Sequence, residues 1–202
     1  MQPERDHGHD EQDLPLDGVL ATILGDVRPL SPVRRELADA LGAVLAESVR
    51  ASIALPPSAV SAMDGFAVRS ADLGAAPTTL QVAGVVPAGR PAGRRLGGGE
   101  AMRILTGGVL PDGADAVVRV ERTCPAPGDR VEVQVAVCAG EDVRPRGDVF
   151  AEGDLLLDAG RVLGPAGLAL LASGGVASVP VHPRPTVGVL STGDELVPPG
   201  QP

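Results

Sequence analysis

The sequence is nearly without aromatic side chains. Its 202 residues include two Phe, no Tyr and no Trp. A carbohydrate- or peptide-binding β module therefore has little support, because such a module stacks its ligand on aromatic rings. Only two cysteines occur, Cys124 and Cys138, and their spacing matches no metal-ligand pattern. A reduced, cytoplasmic compartment is expected, with both cysteines acting as small hydrophobes. Positive charge is scarce: 17 Lys and Arg face 26 Asp and Glu, a net charge of -9. That balance argues against nucleic acid as a partner, because a phosphate backbone needs a basic footprint. It also means that an anionic ligand must be held locally, by backbone N–H groups, arginines or a metal ion. No apolar run is long enough to span a membrane, and the acidic N-terminus has no hydrophobic segment of the secretory kind.

What the chain has in quantity is glycine and proline, 27 and 20 residues, in a composition that is 44% hydrophobic. The core must be built from Val, Leu, Ala and Ile, in short strands joined by tight turns. Residues 1–13 are polar and acidic and are expected to be a disordered tail, with His7 and His9 solvated. Leu16, Val19, Leu20, Ile23, Leu24 and Val27 fall at helical spacing, which predicts a helix with one buried face. Ser31-Pro32 resembles a cap followed by Pro at the first helical position, so a second helix is expected through Leu41, stopping at Gly42. Residues 44–49 read as a strand.

Residues 51–150 differ in texture. Strands are expected at 79–86, 101–105, 116–121 and 130–137, separated by glycine and proline. Val131, Val133, Val135 and Val137 alternate with other residues in the period of a half-buried strand. This reads as an inserted all-β module. Gly97-Gly98-Gly99 is not followed by a helix start, so a hairpin connection is expected there rather than a phosphate loop. A helix opens at Leu163-Gly164-Pro165 and ends at Ser173-Gly174-Gly175. A strand over 176–181 follows. Thr186–Leu190 is a continuous apolar run, as in a buried parallel strand, and it feeds Ser191-Thr192-Gly193-Asp194-Glu195. A strand leading into a small-residue loop is where open α/β sheets bind ligands. A lone strand cannot make a sheet, so the expectation is a chain cut just inside its next domain, as a fragment or a truncated gene product.

Two acids stand out, Asp64 and Glu195. Each lies beside glycine near strand-like sequence. Asp64-Gly65 reads as a turn leading into a strand at Phe66-Ala67-Val68. The glycine would let another molecule approach the backbone. Carboxylates of this kind can bind Mg²⁺ together with phosphate oxygens and water; equally, each can be a turn carboxylate on a hairpin. Thr106-Gly107-Gly108 ends a strand with a hydroxyl and two bare N–H groups, which suits an anion. Arg103, Arg144 and Arg146 are further anion candidates.

Four stretches occur in one order: Ser61-Ala62-Met63-Asp64-Gly65-Phe66-Ala67-Val68-Arg69, Met102-Arg103-Ile104-Leu105-Thr106-Gly107-Gly108, Gly113-Ala114-Asp115-Ala116-Val117-Val118 and Leu190-Ser191-Thr192-Gly193-Asp194-Glu195-Leu196. Together they resemble the MoeA-type molybdopterin molybdenumtransferases, the family of the gephyrin E domain. The resemblance runs from about Leu16 to the last residue and covers the front part of that family.

It implies an α+β fold: an elongated helical/β domain (14–50 plus 151–183) interrupted by the β module (51–150), then the truncated first strand of an α/β, Rossmann-like domain (184–202). It implies insertion of molybdate into adenylylated molybdopterin with Mg²⁺ and release of AMP, by a homodimer. By motif match, Asp64, Thr106 and Glu195 would be catalytic, with Asp64 and Glu195 on the metal. Arg103, Gly107, Gly108, Ser191, Thr192 and Gly193 would bind substrate. The alternative is a non-catalytic dimerisation or scaffold module that keeps only the front domains. Two departures are visible. Arg144-Pro145-Arg146-Gly147 runs into Asp148-Val149 where the family has Gly-Glu-Asp, so Asp148 is given no direct role. The family's later Gly-Gly-Val-Ser and Pro-Gly-Asn-Pro stretches have no counterpart in place.

Overall fold

A computed structural model describes residues 15–87, 89–193 and 195–200. The tail expected over residues 1–13 lies outside them. The described residues are mostly β with two α-helices. In chain order the elements are α1 (Leu16–Asp26), β1 (Val33–Glu36), β2 (Val44–Leu45), β3 (Val49–Arg50), β4 (Val60–Ser61), β5 (Gly65–Val68), β6 (Thr78–Val85) and β7 (Glu100–Ile104). They continue with β8 (Ala116–Arg119), β9 (Thr123–Ala126), β10 (Arg130–Val133), β11 (Val143–Arg144), β12 (Leu155–Leu157), α2 (Pro165–Ser173) and β13 (Ser178–His182).

The central feature is a six-stranded sheet in the order β8-β5-β7-β6-β10-β9. Apolar residues line both of its faces because alternate side chains point opposite ways. Phe66, Val68, Leu80, Ala101, Val118, Val131 and Val133 join one buried cluster. Ala67, Met102, Ile104 and Val117 join another with Leu96 and Val86. β5 is buried at all four positions, as a strand covered on both faces must be. The valine alternation foresaw the inward side chains but not the strand's length. Pairing stops at Val133, yet Val137 is still buried and Val135 packs on the same cluster.

The connection through Gly97-Gly98-Gly99 is not a hairpin. β6 and β7 run parallel, so their connection is a crossover. Nor is it a phosphate cradle: the Gly97 N–H donates to Glu100 Oε2 at 2.8 Å and the Gly99 N–H to Asp72 Oδ2 at 2.9 Å. The protein's own carboxylates already take those donors.

A second core takes Leu45, Leu163, Leu171, Val179 and Val181, with Leu156 and Leu157 packed against it. Its three-stranded sheet has the order β1-β13-β2. Here the helix expected over 31–41 is corrected. Val33–Glu36 pairs antiparallel with Ser178–Val181, and only Leu37–Asp39 turns, as a 3-10 segment. Long-range pairing with β13 overrides a local helical pattern. The expected strand over 44–49 is two short strands, one paired with β13 and one with β12.

α1 forms where its spacing predicts, but none of its residues is buried; Leu16, Leu20, Ile23 and Leu24 are all exposed. The expected buried strand at 186–190 is also corrected. No strand forms there, and Val189 and Leu190 are 89% and 88% exposed. Among the described residues nothing pairs with this run, and an unpaired strand is not stable in water.

Candidate functional site

The Asp64 corner is built from two loops tied together. Ser61, the one buried polar residue among those described, donates its N–H to the Gly108 carbonyl at 2.9 Å and accepts from the Gly107 N–H at 2.8 Å. Its hydroxyl accepts from the Met63 N–H at 3.2 Å and donates to the Met63 carbonyl at 2.5 Å. This closes a tight turn that ends on Asp64. Gly107 has φ +80°, which glycine adopts without strain. Gly108 is buried, and a Cβ there would come within 2.8 Å of Ile104 Cγ1. The two glycines therefore let the 105–108 loop lie against Ser61.

The result is a direct junction between two predicted site residues. Asp64 Oδ1 accepts from both the Thr106 N–H, at 2.7 Å, and the Thr106 hydroxyl, at 2.8 Å. These bonds, backbone first, hold the Asp64 carboxyl below its ordinary range, and the Arg103 charge acts in the same direction. The carboxylate is exposed, and among the described residues Oδ2 accepts no hydrogen bond. An ionised oxygen open to solvent, beside an exposed arginine, suits a hydrated hard cation that shares its other ligands with a phosphate-bearing molecule. No group of three or more His, Cys, Asp or Glu could hold a metal among the described residues. A cage made by this chain alone is therefore not what the corner offers.

Gly65 serves a different purpose from the one expected. The space above it is filled by the chain itself: a Cβ there would overlap the Val118 carbonyl. The glycine admits β8 rather than a ligand.

The structure thus brings together Asp64, Thr106, Gly107, Gly108 and Arg103. It does not join Ser191, Thr192, Gly193 and Glu195 to them. Those four are exposed, and no described hydrogen bond or ion pair links them to the Asp64 corner. Glu195 folds back over Gly193 instead. Arg144 and Arg146 are also otherwise engaged, in ion pairs with Asp148 at 3.0 Å and Glu152 at 3.2 Å. Asp115, within the third motif, is structural: its carboxylate takes the Ser70 N–H at 2.6 Å and the Ser70 hydroxyl at 2.8 Å. A cavity of about 580 Å³ is lined by Ser58, Arg94, Arg95, Val109 and Asp112 and includes neither Asp64 nor Thr106.

Sequence reasoning missed two supports of the corner. One is Ser61, whose only signal was its place three residues before an Asp-Gly turn. The other is the Arg119–Asp142 pair, a two-pronged contact at 2.8 and 2.9 Å that no local pattern announces.

Known proteins are similar to this chain over most of its length. Over 180 residues the chain is 41% identical to molybdopterin molybdenumtransferase 2 of Mycobacterium tuberculosis, covering 87% of this chain and 44% of that protein. Over 166 residues it is 39% identical to the molybdopterin molybdenumtransferase of Haemophilus influenzae, covering 82% and 41% respectively. The crystal structure of the molybdopterin biosynthesis MoeA protein from Pyrococcus horikosii superposes with a TM-score of 0.83 at 34% identity, over 93% of this chain and 49% of that one. The chain thus spans less than half the length of these curated relatives. Residues 14–175 match the family model for the MoeA N-terminal region (domain I and II), and the chain belongs to that family.

Proposed function

We propose that this chain is the front portion of a molybdopterin molybdenumtransferase, acting in molybdenum cofactor biosynthesis. The observation that carries the reading is the Asp64–Thr106 junction, where two separate motifs meet at a solvent-facing carboxylate. In this reading Asp64 would hold Mg²⁺, which would neutralise the charge of a phosphate-bearing substrate. Thr106 favours the ionised form of Asp64 and fixes its direction. Arg103 attracts the anionic parts of adenylylated molybdopterin and of molybdate, whereas the Gly107 and Gly108 N–H groups expected to do so already donate to the Ser61 and Leu105 carbonyls, each at 2.8 Å. Glu195, with Ser191, Thr192 and Gly193, completes the site when brought to this corner, within a homodimer or by further chain. The products are molybdenum-loaded molybdopterin and AMP. An inserted β module within a discontinuous helical/β domain, leading toward an α/β domain, is the organisation that goes with this function.

The test is molybdate-dependent release of AMP from adenylylated molybdopterin by the intact gene product. Turnover by the native enzyme and its loss in Asp64→Asn are expected. Undiminished turnover in Asp64→Asn contradicts the role given to Asp64.

A further inference from the structure

We infer that Asp142 is a positioning residue for the Asp64 corner, acting through Arg119 and Ala62. The inference rests on the reading of Asp64 as a working group. Four residues close a loop of contacts around the turn. The Ala62 N–H, at the front of the turn, donates to the Asp142 carbonyl at 2.8 Å. Gly65, at its back, pairs in register with Arg119 on β8. Arg119 donates from Nε to Asp142 Oδ2 at 2.8 Å and from Nη2 to Oδ1 at 2.9 Å. One ion pair therefore joins both ends of the four-residue turn that carries Asp64. The Asp64 carbonyl adds a further bond, accepting from the Val120 N–H at 3.1 Å, one residue beyond Arg119.

The geometry of Asp142 is specific to this task. Its φ is +53°, a region that an aspartate adopts far less often than a glycine does. That backbone turns the carbonyl toward Ala62 while the carboxylate meets the guanidinium. The side chain is only 13% exposed, so water competes weakly for the fork. Arg119 is 42% exposed and lies one register step from Asp64, yet its charge is taken up by Asp142. Its influence on Asp64 is thus mechanical, in contrast to that of Arg103.

The experiment is amide NMR of the 202-residue chain with Asp142→Asn and Arg119→Lys. Asparagine keeps the left-handed backbone but loses the charged fork; lysine keeps the charge but cannot make two parallel bonds. The expected result in both is a shift of the Thr106 amide proton, whose acceptor is Asp64, and hydrogen exchange at Thr106 and Met63 accelerated about tenfold more than at Leu80 and Val131. Asp64→Asn identifies the Thr106 signal independently. Unchanged Thr106 and Met63 signals in the two variants overturn the inference. So does loss of the whole fold in both, which would make the pair a global support rather than a local one. Failure here leaves the AMP-release result untouched, so the two readings fail separately.

Discussion

Replacing Gly65 with alanine should be among the most damaging single-methyl changes in this protein. Gly65 lies between Ile104 on β7 and Arg119 on β8. Its φ is not in the left-handed region, so the penalty is one of space. The added carbon would overlap the Val118 carbonyl and lie within 3.0 Å of Arg119 Cα. Both are backbone atoms, and no rotamer change relieves them. β8 would have to move away from β5, stretching the pairing that runs from Gly65–Arg119 to Val68–Ala116. Overpacking costs about 1–3 kcal/mol, and each weakened ladder bond adds about 1 kcal/mol, so a loss of about 3–4 kcal/mol is expected. In a chain of this size that corresponds to a drop of about 10 °C in Tm. Gly107→Ala is the control. It has open space and φ +80°, and should cost only about 1–2 kcal/mol, through conformation alone. Urea and thermal denaturation followed by far-UV circular dichroism compare the two. A Gly65→Ala protein within about 1 kcal/mol of the native chain would refute the close-approach account and return Gly65 to an ordinary turn residue.

Other outcomes follow from the same structure. Leu171 is wholly buried in the second core, so Leu171→Ala should cost about 2–5 kcal/mol by urea denaturation. Ile104 belongs to a different cluster, so the costs of Leu171→Ala and Ile104→Val should add to within about 0.5 kcal/mol. The Arg119 guanidinium holds the Asp142 carboxyl below its usual range. A depressed folded-state pKa stabilises the fold above the unfolded value near 4, and that contribution is lost as pH falls through the folded value. The native protein should therefore be more stable than Asp142→Asn at pH 7, with the gap closing below about pH 4 in denaturation series.

Much of the β module was legible in the sequence because its signals are local. Glycine and proline separate most of the strands, and β5, β6, β7 and β8 lie within a few residues of their expected places. The Asp64 and Thr106 corners were legible as motifs, and their meeting is the structure's addition. What failed depended on distant partners. Val33–Glu36 is a strand because Ser178–Val181 lies beside it, 140-odd residues later in the chain. Thr186–Leu190 has the composition of a buried strand, yet no strand pairs with it among the described residues. Gly65 was read as an opening for a ligand because sequence cannot show that Val118 already occupies the space.

The central claim is that Asp64 and Thr106 work as one unit. Turnover of the intact gene product carrying Asp64→Asn, Thr106→Val and both changes together measures this most directly. Groups that act as a unit lose little more when both are removed than when one is. Single losses of similar size, with a double variant no slower than the worse single, are expected. Full activity in Thr106→Val, or losses that multiply in the double variant, would contradict it.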